Sequence, residues 1–319
     1  MYNRFIERQK LLPNPIAFEE LISKPRLDSY RGYFHASLDE AIGLYMWNGA
    51  VSVCLGTIIA YYEIALRNRL HHAMSTFYSN GGSTSIHWYD RIWAQLKSET
   101  QRSIDKIRTE RGPGGTVVVR NPAPSPDEVV SRLTFGFWPA ILAVIDRRYG
   151  SQIFPNVFPH HPLNATPAAW NNRVSRKQAT EYIYEVNYIR NRIAHHEPIW
   201  KFPAVMNTSQ SPPVVVISES LSKSDSIARF RSFIANLDAG IASLSADLTN
   251  DLSNSSWRND LNFLLSDRGV SRYRSLRHVP ANGTLSPADL RKNYSLVGKA
   301  NQPVRIGGRA QFGGIFIPN

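Results

Sequence analysis

The sequence predicts a mainly α-helical, bundle-like protein, and three observations support this class. Apolar residues recur at helical spacing through most of the chain, and the regular strand–helix alternation of a parallel sheet is missing. Hydrophobic residues make up 42% of the 319, enough to bury a core. Gly- and Pro-rich stretches separate the helical segments. We expect one domain over residues 1–268, with an inserted helical and loop section at about 79–126, and an extended basic tail over 269–319.

The first half of the chain contains helices of different length. Pro15 suits the first turn of a short helix that stops near Pro25. Residues 36–48 have the apolar spacing of a buried helix, and a second, longer helix is expected from Gly49 to about Tyr78. Helical spacing returns over residues 86–110.

The second half repeats the same signals. Ser125 or Asp127 is placed to cap a further helix. Thr166 and Pro167 are typical of a helix start, and this long helix is expected to continue to about His196, because Pro198 follows. A VVVI run near residue 215 predicts one edge strand, and residues 224–248 predict another helix.

The charge of the chain is basic but uneven. The formal net charge is +12, which favours polyanionic partners such as nucleic acid. Residues 267–319 hold nine Lys or Arg against two Asp or Glu, whereas the remaining residues hold 28 against 23. The preference for polyanions therefore depends largely on the tail.

Cysteine content and apolar runs predict a cytoplasmic protein. Cys54 is the only cysteine, so no intrachain disulfide can form. The first residues lack the apolar stretch of a signal peptide. The most apolar runs, Ala50–Tyr62 and Phe135–Ile145, are shorter than the ~18–20 apolar residues that span a bilayer. We therefore expect no membrane partner.

The segment YIRNRIAHHEPIW, residues 188–200, combines the groups that could cleave RNA. Asn191 and His195 are four residues apart, on one side of a helix, whereas Arg190 and His195 differ by about 140° around it. A histidine acts as acid or base near neutral pH, and an arginine binds phosphate and stabilises its developing charge. We therefore predict metal-independent cleavage by the 2′-hydroxyl, with His195 as acid/base, Arg190 as phosphate clamp and Asn191 as orienting group.

Another interpretation requires no catalysis. Basic side chains near a helix C-terminus are favoured by the helix dipole, and an Arg followed five residues later by a His is a loose pattern. The same residues are then an ordinary basic helix end.

The segment YEIALRNRLHH, residues 62–72, repeats the R-N-x-x-x-H pattern. Glu63 and Arg67 have the spacing of a favourable helical ion pair. We expect Glu63 to orient a catalytic arginine, with Arg67, Asn68 and His72 in support. The plainer alternative is a surface ion pair, and the sequence leaves open which copy of the pattern is catalytic.

The sequence gives weaker signals for metal, cofactor and further RNA sites. The histidines occur as adjacent pairs and no zinc motif is present, so we expect neither a metal nor another cofactor. In the tail, cations alternate with an aromatic residue in a way that suits single-stranded RNA, although a solvated tail has the same composition. The expected RNA contacts are Arg192, Arg272, Arg274 and Arg277.

At four segments the sequence resembles the Abi-like (abortive infection) branch of the HEPN superfamily. The segments are ISKPRLDSYRGYF (22–34), YEIALRNRLHH (62–72), SRLTFGFWPAIL (131–142) and RNRIAHHEPIW (190–200). The resemblance covers about residues 16–202 and implies a HEPN-like helical bundle. It also implies a metal-independent endoribonuclease of phage defence, in which the motifs of two protomers face each other in a homodimer.

The resemblance assigns roles residue by residue. Arg190, Asn191 and His195 match the R-N-x-x-x-H motif, His196 matches a second histidine, and Glu63 and Arg67 match an acidic and a basic position. It implies RNA as the substrate and, when the enzyme is a toxin, an antitoxin protein or RNA as partner. The alternatives are a non-catalytic RNA- or protein-binding module of the same family and a purely structural helical scaffold.

Overall fold

A computed structural model gives the fold of residues 14–207, 214–275, 285–292, 294–295, 304–307 and 314–316. Most of these residues are helical, which confirms the mainly α prediction. The strands in these ranges form three two-stranded antiparallel sheets. Two compact units are formed: unit 1 is Met1–Leu55, His196–Ser232 and Ser256–Asn319, and unit 2 is Gly56–His195 and Phe233–Ser255.

Unit 1 is built around an aromatic cluster. Tyr30, Phe34, Trp47 and Trp200 are buried, and the rings of Tyr30 and Trp200 meet edge to face at 5.1 Å. A hairpin of two strands, β3 (Val205–Asn207) and β4 (Val214–Ile217), replaces the single expected strand. The elements of this unit are α1 (Pro15–Ile22), α2 (Lys24–Phe34), the start of α3 (Leu38–Tyr78), β3 (Val205–Asn207), β4 (Val214–Ile217), the start of α11 (Lys223–Leu244), α13 (Ser256–Leu264), α14 (Asp267–Arg274), α15 (Pro287–Lys292), β5 (Val304–Ile306) and β6 (Gly314–Phe316).

Unit 2 has its own core, which includes residues of the expected insertion. Trp88, Ile92 and Ile104 lie between residues 79 and 126 and are almost completely buried. The elements of this unit are the rest of α3, α4 (Trp88–Arg91), α5 (Ser98–Arg108), β1 (Thr109–Arg111), β2 (Val117–Val119), α6 (Pro126–Arg132), α7 (Phe137–Arg148), α8 (Gly150–Val157), α9 (Arg173–Thr180), α10 (Tyr182–Ala194), the rest of α11 and α12 (Ala246–Ser253).

The helix α3 is longer than predicted. It begins at a capping box, in which the Ser37 amide donates to Glu40 Oε2 at 2.8 Å and the Glu40 amide donates to Ser37 Oγ at 3.3 Å. It then continues without a break where two separate helices were expected, because Trp47 and Val51 bury the same side of the chain on both sides of Gly49.

Because α3 is continuous, it reaches the length of a membrane span. Over an 18-residue window its mean hydropathy is 1.6, with 39% of that window buried. The pair α6 and α7 qualifies only when it is taken as one span bent by 117°. Core helices of globular proteins share these properties. The apolar run Ala50–Tyr62 is itself shorter than a span, but the helix that contains it is not, and the absence of a membrane partner stays a prediction.

The long helix expected over residues 166–196 is instead three helices. Thr166 makes no side-chain capping bond, and a 3₁₀ helix follows over Pro167–Asn171. The side chain of Asn172 caps α9 by accepting from the Val174 amide at 2.8 Å. Arg176 donates to the carbonyl of Trp170 at 2.7 Å, which fixes the turn before α9. Glu181 alone separates α9 from α10.

The expected extended tail begins as a helix. Ser266 Oγ accepts from the Gly269 amide at 3.0 Å and caps α14. Tyr273 is buried, and its carbonyl lies against Gly43, where an added Cβ would be 1.9 Å from the oxygen. This close packing explains why the prediction failed for residues up to Arg274: burial of a few side chains stabilises a helix that composition alone does not indicate.

Candidate active site

The helix α10 orients the predicted catalytic residues because its apolar face is buried in unit 2. With this face fixed, Asn191 and His195 are exposed and Arg190 is half-buried. The fully buried residues on the apolar face are Ile183, Val186 and Ile189.

The C-terminal end of α10 displays its last side chains. The His195 amide donates to the Asn191 carbonyl at 2.9 Å, and His196 has the left-handed conformation, with φ 54°, that ends many helices. Pro198 then prevents continuation, as predicted. Neither the Asn191 amide group nor the His195 imidazole makes a hydrogen bond or ion pair with the part of the chain that the structure describes.

Arg190 is held by a carboxylate from α3. Its Nε lies 3.7 Å from Glu63 Oε2, and the two side chains are 35% and 17% exposed. Burial raises the pKa of Glu63, and the positive charges of Arg190 and Arg67 partly oppose this rise. The expected orienting carboxylate and the expected phosphate clamp therefore lie together in unit 2.

Arg67 lies near this pair but is engaged elsewhere. Its Nη1 donates to the carbonyl of Ser131 at 3.1 Å, and its Nε donates to Asn68 Oδ1 at 3.4 Å. Arg67 therefore joins α3 to the end of α6 and adds positive charge near Glu63.

Arg190 and His195 do not meet within one copy of the helix. Five residues correspond to about 140° of rotation and about 7.5 Å of rise. No hydrogen bond joins their side chains within the described chain, and the Arg190 guanidinium is turned toward Glu63. Within one protomer the arginine is therefore oriented by Glu63, and the imidazole has no hydrogen-bond partner in the described chain.

His196 and the residues after it are fixed within unit 1. Arg26 Nη1 donates to the His196 carbonyl at 2.9 Å. Buried Asn48 holds the chain that follows, because its Nδ2 donates to the Glu197 carbonyl at 3.3 Å and its Oδ1 accepts from the Ile199 amide at 2.9 Å. The His196 side chain is exposed.

Asn68 and His72 do not support the Glu63–Arg190 pair. At about 100° per residue, Asn68 lies about 140° and His72 about 180° around α3 from Glu63. Both are exposed on that far side. The expectation that they assist the catalytic arginine was therefore wrong for a single protomer, because spacings of five and nine residues from Glu63 turn them away from it.

His71, the neighbour of His72, has a structural role. Trp88 Nε1 donates to His71 Nδ1 at 2.9 Å, so this nitrogen is the unprotonated one. His71 Nε2 lies 3.1 Å from Ser85 Oγ and 3.3 Å from Asp127 Oδ1. Burial lowers the pKa of His71, and Asp127 partly opposes this effect.

The expected RNA-contacting arginines are mostly engaged within the fold. Arg192 is only 9% exposed, and its Nη1 donates to Tyr188 Oη at 3.1 Å. Arg272 is 3% exposed, and burial lowers its pKa to about 10. Arg274 pairs with Glu40 at 2.9 Å. The expectation of free surface contacts was wrong for Arg192 and Arg272, which the fold buries. Arg274 keeps 36% of its side chain exposed but is engaged by Glu40, and Arg277 lies outside the described residues.

Metal ligands do not cluster in the described ranges, where no group of three His, Cys, Asp or Glu side chains could hold an ion.

Sequence reasoning missed the two residues that fix the chain after α10, Arg26 and Asn48. Arg26 lies in a segment that carried the family resemblance, which was the available signal. No sequence signal marked Asn48, because the hydrogen-bond partners of a polar residue inside an apolar helix are set by the fold.

Comparison with known proteins supports the family expected from these residues. The family model described as Abi-like protein matches residues 17–201, more than half of the chain. No curated protein and no solved structure was found to match the chain. The matched range contains both R-N-x-x-x-H copies, Arg26 and Asn48. The chain therefore belongs to the Abi-like protein family.

Proposed function

We propose that this protein is a metal-independent endoribonuclease of the abortive-infection type. Membership of the Abi-like family suggests an abortive-infection function and is compatible with a nuclease. The observation that carries the proposal is the C-terminal end of α10. There, Arg190 is oriented by Glu63, while Asn191 and His195 project from the last turn without partners in the described chain.

The chemistry follows from the two groups. The 2′-hydroxyl of RNA attacks the adjacent phosphorus, the bond to the 5′-oxygen breaks, and a 2′,3′-cyclic phosphate and a 5′-hydroxyl result. His195 removes the 2′-proton or protonates the leaving oxygen. Arg190 neutralises charge on the non-bridging oxygens, and Asn191 orients the phosphate by hydrogen bonding.

A homodimer would complete the site. Arg190 and His195 diverge by about 140° on one helix, so a second copy can supply the missing group to each phosphate. Large apolar residues near the site on α3 and α10 are exposed, as expected of a surface that another copy covers. These residues are Tyr61, Ile64, Tyr184 and Tyr188. Light scattering of the purified protein should give twice the monomer mass.

The direct test is cleavage of labelled single-stranded RNA in EDTA. The protein should cleave, and an Arg190→Ala/His195→Ala variant should not. Cleavage at an undiminished rate by the variant would remove this site assignment. If the protein acts as a toxin, expression in a bacterial cell should arrest growth unless His195 is replaced or an antitoxin protein or RNA is present.

A non-catalytic RNA-binding module is the second candidate, and one observation favours it. In a single protomer, Arg190 is turned to Glu63 and does not meet His195. This candidate predicts salt-sensitive RNA binding without turnover, in monomer and dimer alike.

A further inference from the structure

A cavity on the side of α3 away from Glu63 combines two cationic side chains with apolar surface. Its volume is about 310 Å³, and it lies where the middle of α3 faces the junction of α11 and α12 in unit 2. This is the lower end of the ~300–1,000 Å³ typical of small-molecule sites. The lining residues of this cavity, called the α3 cavity below, are Ala65, Asn68, Arg69, His72, Leu244 and Ser245.

The polar lining is cationic and free to bind. Arg69 and His72 are exposed, and neither makes a hydrogen bond or ion pair with the chain the structure describes. They are three residues apart, so both side chains reach the same side of the helix. No carboxylate belongs to the lining.

Further groups suit a phosphate with an organic part attached. Ser245 Oγ accepts from the Leu248 amide at 3.2 Å, which leaves its hydroxyl hydrogen for a ligand. Asn68 presents amide hydrogens, because its oxygen already accepts from Arg67. Ala65 and buried Leu244 add apolar surface for a sugar or base.

We propose that the α3 cavity binds a phosphate group carried by a nucleotide, with Arg69 as the principal contact and His72, Asn68 and Ser245 as hydrogen-bond donors. The phosphate belongs either to an RNA strand or to a free mononucleotide. The α3 cavity is about half a helical turn from Glu63, so it is separate from the Arg190 site. Its binding role stands whether or not that site is catalytic.

The test uses single-stranded DNA, which retains the phosphates of RNA but has no 2′-hydroxyl to attack. Arg69→Ala should weaken binding of fluorescently labelled DNA about tenfold and reduce the slope of log affinity against log salt by about 0.7, the loss of one phosphate contact. Arg102→Ala is the matched control, because Arg102 is an exposed helical arginine of unit 2 outside the α3 cavity. It should change neither quantity.

A second variant separates the α3 cavity from surface charge in general. Ala65→Leu keeps every cation but fills the space beside them, and should also weaken binding. If only Arg69→Ala has an effect, the charge acts at the open surface and the cavity assignment is overturned. If Arg69→Ala behaves like Arg102→Ala toward DNA and also leaves the binding of 5′-AMP unchanged or absent, the whole proposal is overturned.

Calorimetry with 5′-AMP distinguishes the two sources of phosphate. AMP binding that Arg69→Ala abolishes identifies a mononucleotide, whereas strand binding without AMP binding identifies an RNA phosphate; both results support the phosphate site. The proposed nuclease can fail independently of this inference. A protein that does not cleave RNA but loses DNA affinity through Arg69→Ala retains the phosphate site without the nuclease.

Discussion

Two copies of the same six-residue pattern lie in different surroundings in unit 2. The α3 copy is Arg67, Asn68 and His72, and the α10 copy is Arg190, Asn191 and His195. In the α3 copy the helix continues to Tyr78, and Arg67 is engaged with the Ser131 carbonyl. In the α10 copy the helix ends at Ala194, and the side chains of its Asn and His have no partner in the described chain.

The position of each copy on its helix, more than its residue types, determines which of its side chains are accessible and what they contact. A helix end leaves side chains accessible on several sides, because no further turn covers them. Inside a helix, the arginine and histidine of the α3 copy reach different neighbours: Arg67 contacts the end of α6, and His72 lines the α3 cavity. We therefore propose the α10 copy, and not the α3 copy, as the catalytic one.

The largest expected effect separates the two copies directly. Arg190→Ala/His195→Ala should lower the cleavage rate by about a thousandfold or more, because it removes the acid/base and the phosphate clamp together. The matched Arg67→Ala/His72→Ala variant should keep kcat within about tenfold. Initial rates at saturating RNA make the measurement. Equal losses in both variants would contradict the assignment.

The next effect is on the free energy of unfolding, through Asn48, which holds the residues that follow the α10 copy. Asn48→Ala should lower the free energy of unfolding by about 2 kcal/mol, because a buried amide loses bonds to the Glu197 carbonyl and the Ile199 amide. Asn68→Ala, on the same helix but exposed, should change it by less than about 0.5 kcal/mol. Urea denaturation measures both, and similar losses would show that Asn48 is not an anchor.

A smaller effect tests Glu63, the carboxylate of α3 that pairs with Arg190 of the α10 copy. Glu63→Gln should lower kcat about tenfold, since Arg190 loses the group that orients it. The free energy of unfolding of Glu63→Gln at neutral pH should not fall. Burial raises the pKa of Glu63 in the folded protein, so ionised Glu63 costs stability once the pH rises through that pKa, and glutamine removes this cost. Glu128→Gln, which breaks the surface pair with Arg132, is the control and should leave kcat unchanged. An unaltered kcat in Glu63→Gln would show that Arg190 does not need this partner.

The smallest effect distinguishes two adjacent histidines of α3. Burial lowers the pKa of His71, so the unfolded chain binds its proton more readily and stability falls as pH drops below about 6.5 toward the folded pKa. His71→Gln should flatten this fall between pH 7.5 and pH 5.5, whereas exposed His72→Gln should follow the parent protein. His87 and His161, whose pKa values burial also lowers, leave a residual slope. Urea midpoints across this range would refute the account if both variants behaved alike.

The sequence predicted local features well because their causes are local. Pro15 begins α1, and Ser125 caps α6 by accepting from the Glu128 amide at 3.2 Å. Glu63 was expected to orient a catalytic arginine, but spacing along one helix carries no information about a residue on another, so the contact with Arg190 became visible only in the fold.

The failures share a physical reason, which is tertiary packing. Arg192 and Arg272 were expected at the surface because both are cations, yet the apolar sides of α10 and α14 fix a rotation that buries them. The break before α9 depends on Arg176, which binds carbonyls that no sequence pattern connects to it. Asn68 and His72 are the exception, because their rotation around α3 from Glu63, at about 100° per residue, follows from the spacing alone.

The central claim is that Arg190 and His195 act on one phosphodiester through the neighbouring 2′-hydroxyl. Mass spectrometry of RNA fragments produced in EDTA tests it most directly, with an RNA that carries a single 2′-deoxy sugar at the cleavage position as control. Attack by the 2′-hydroxyl predicts 2′,3′-cyclic phosphate and 5′-hydroxyl ends, no cleavage at the deoxy sugar, and no fragments from the His195→Ala variant. Fragments with 5′-phosphate and 3′-hydroxyl ends, or cleavage at the deoxy position, would contradict it.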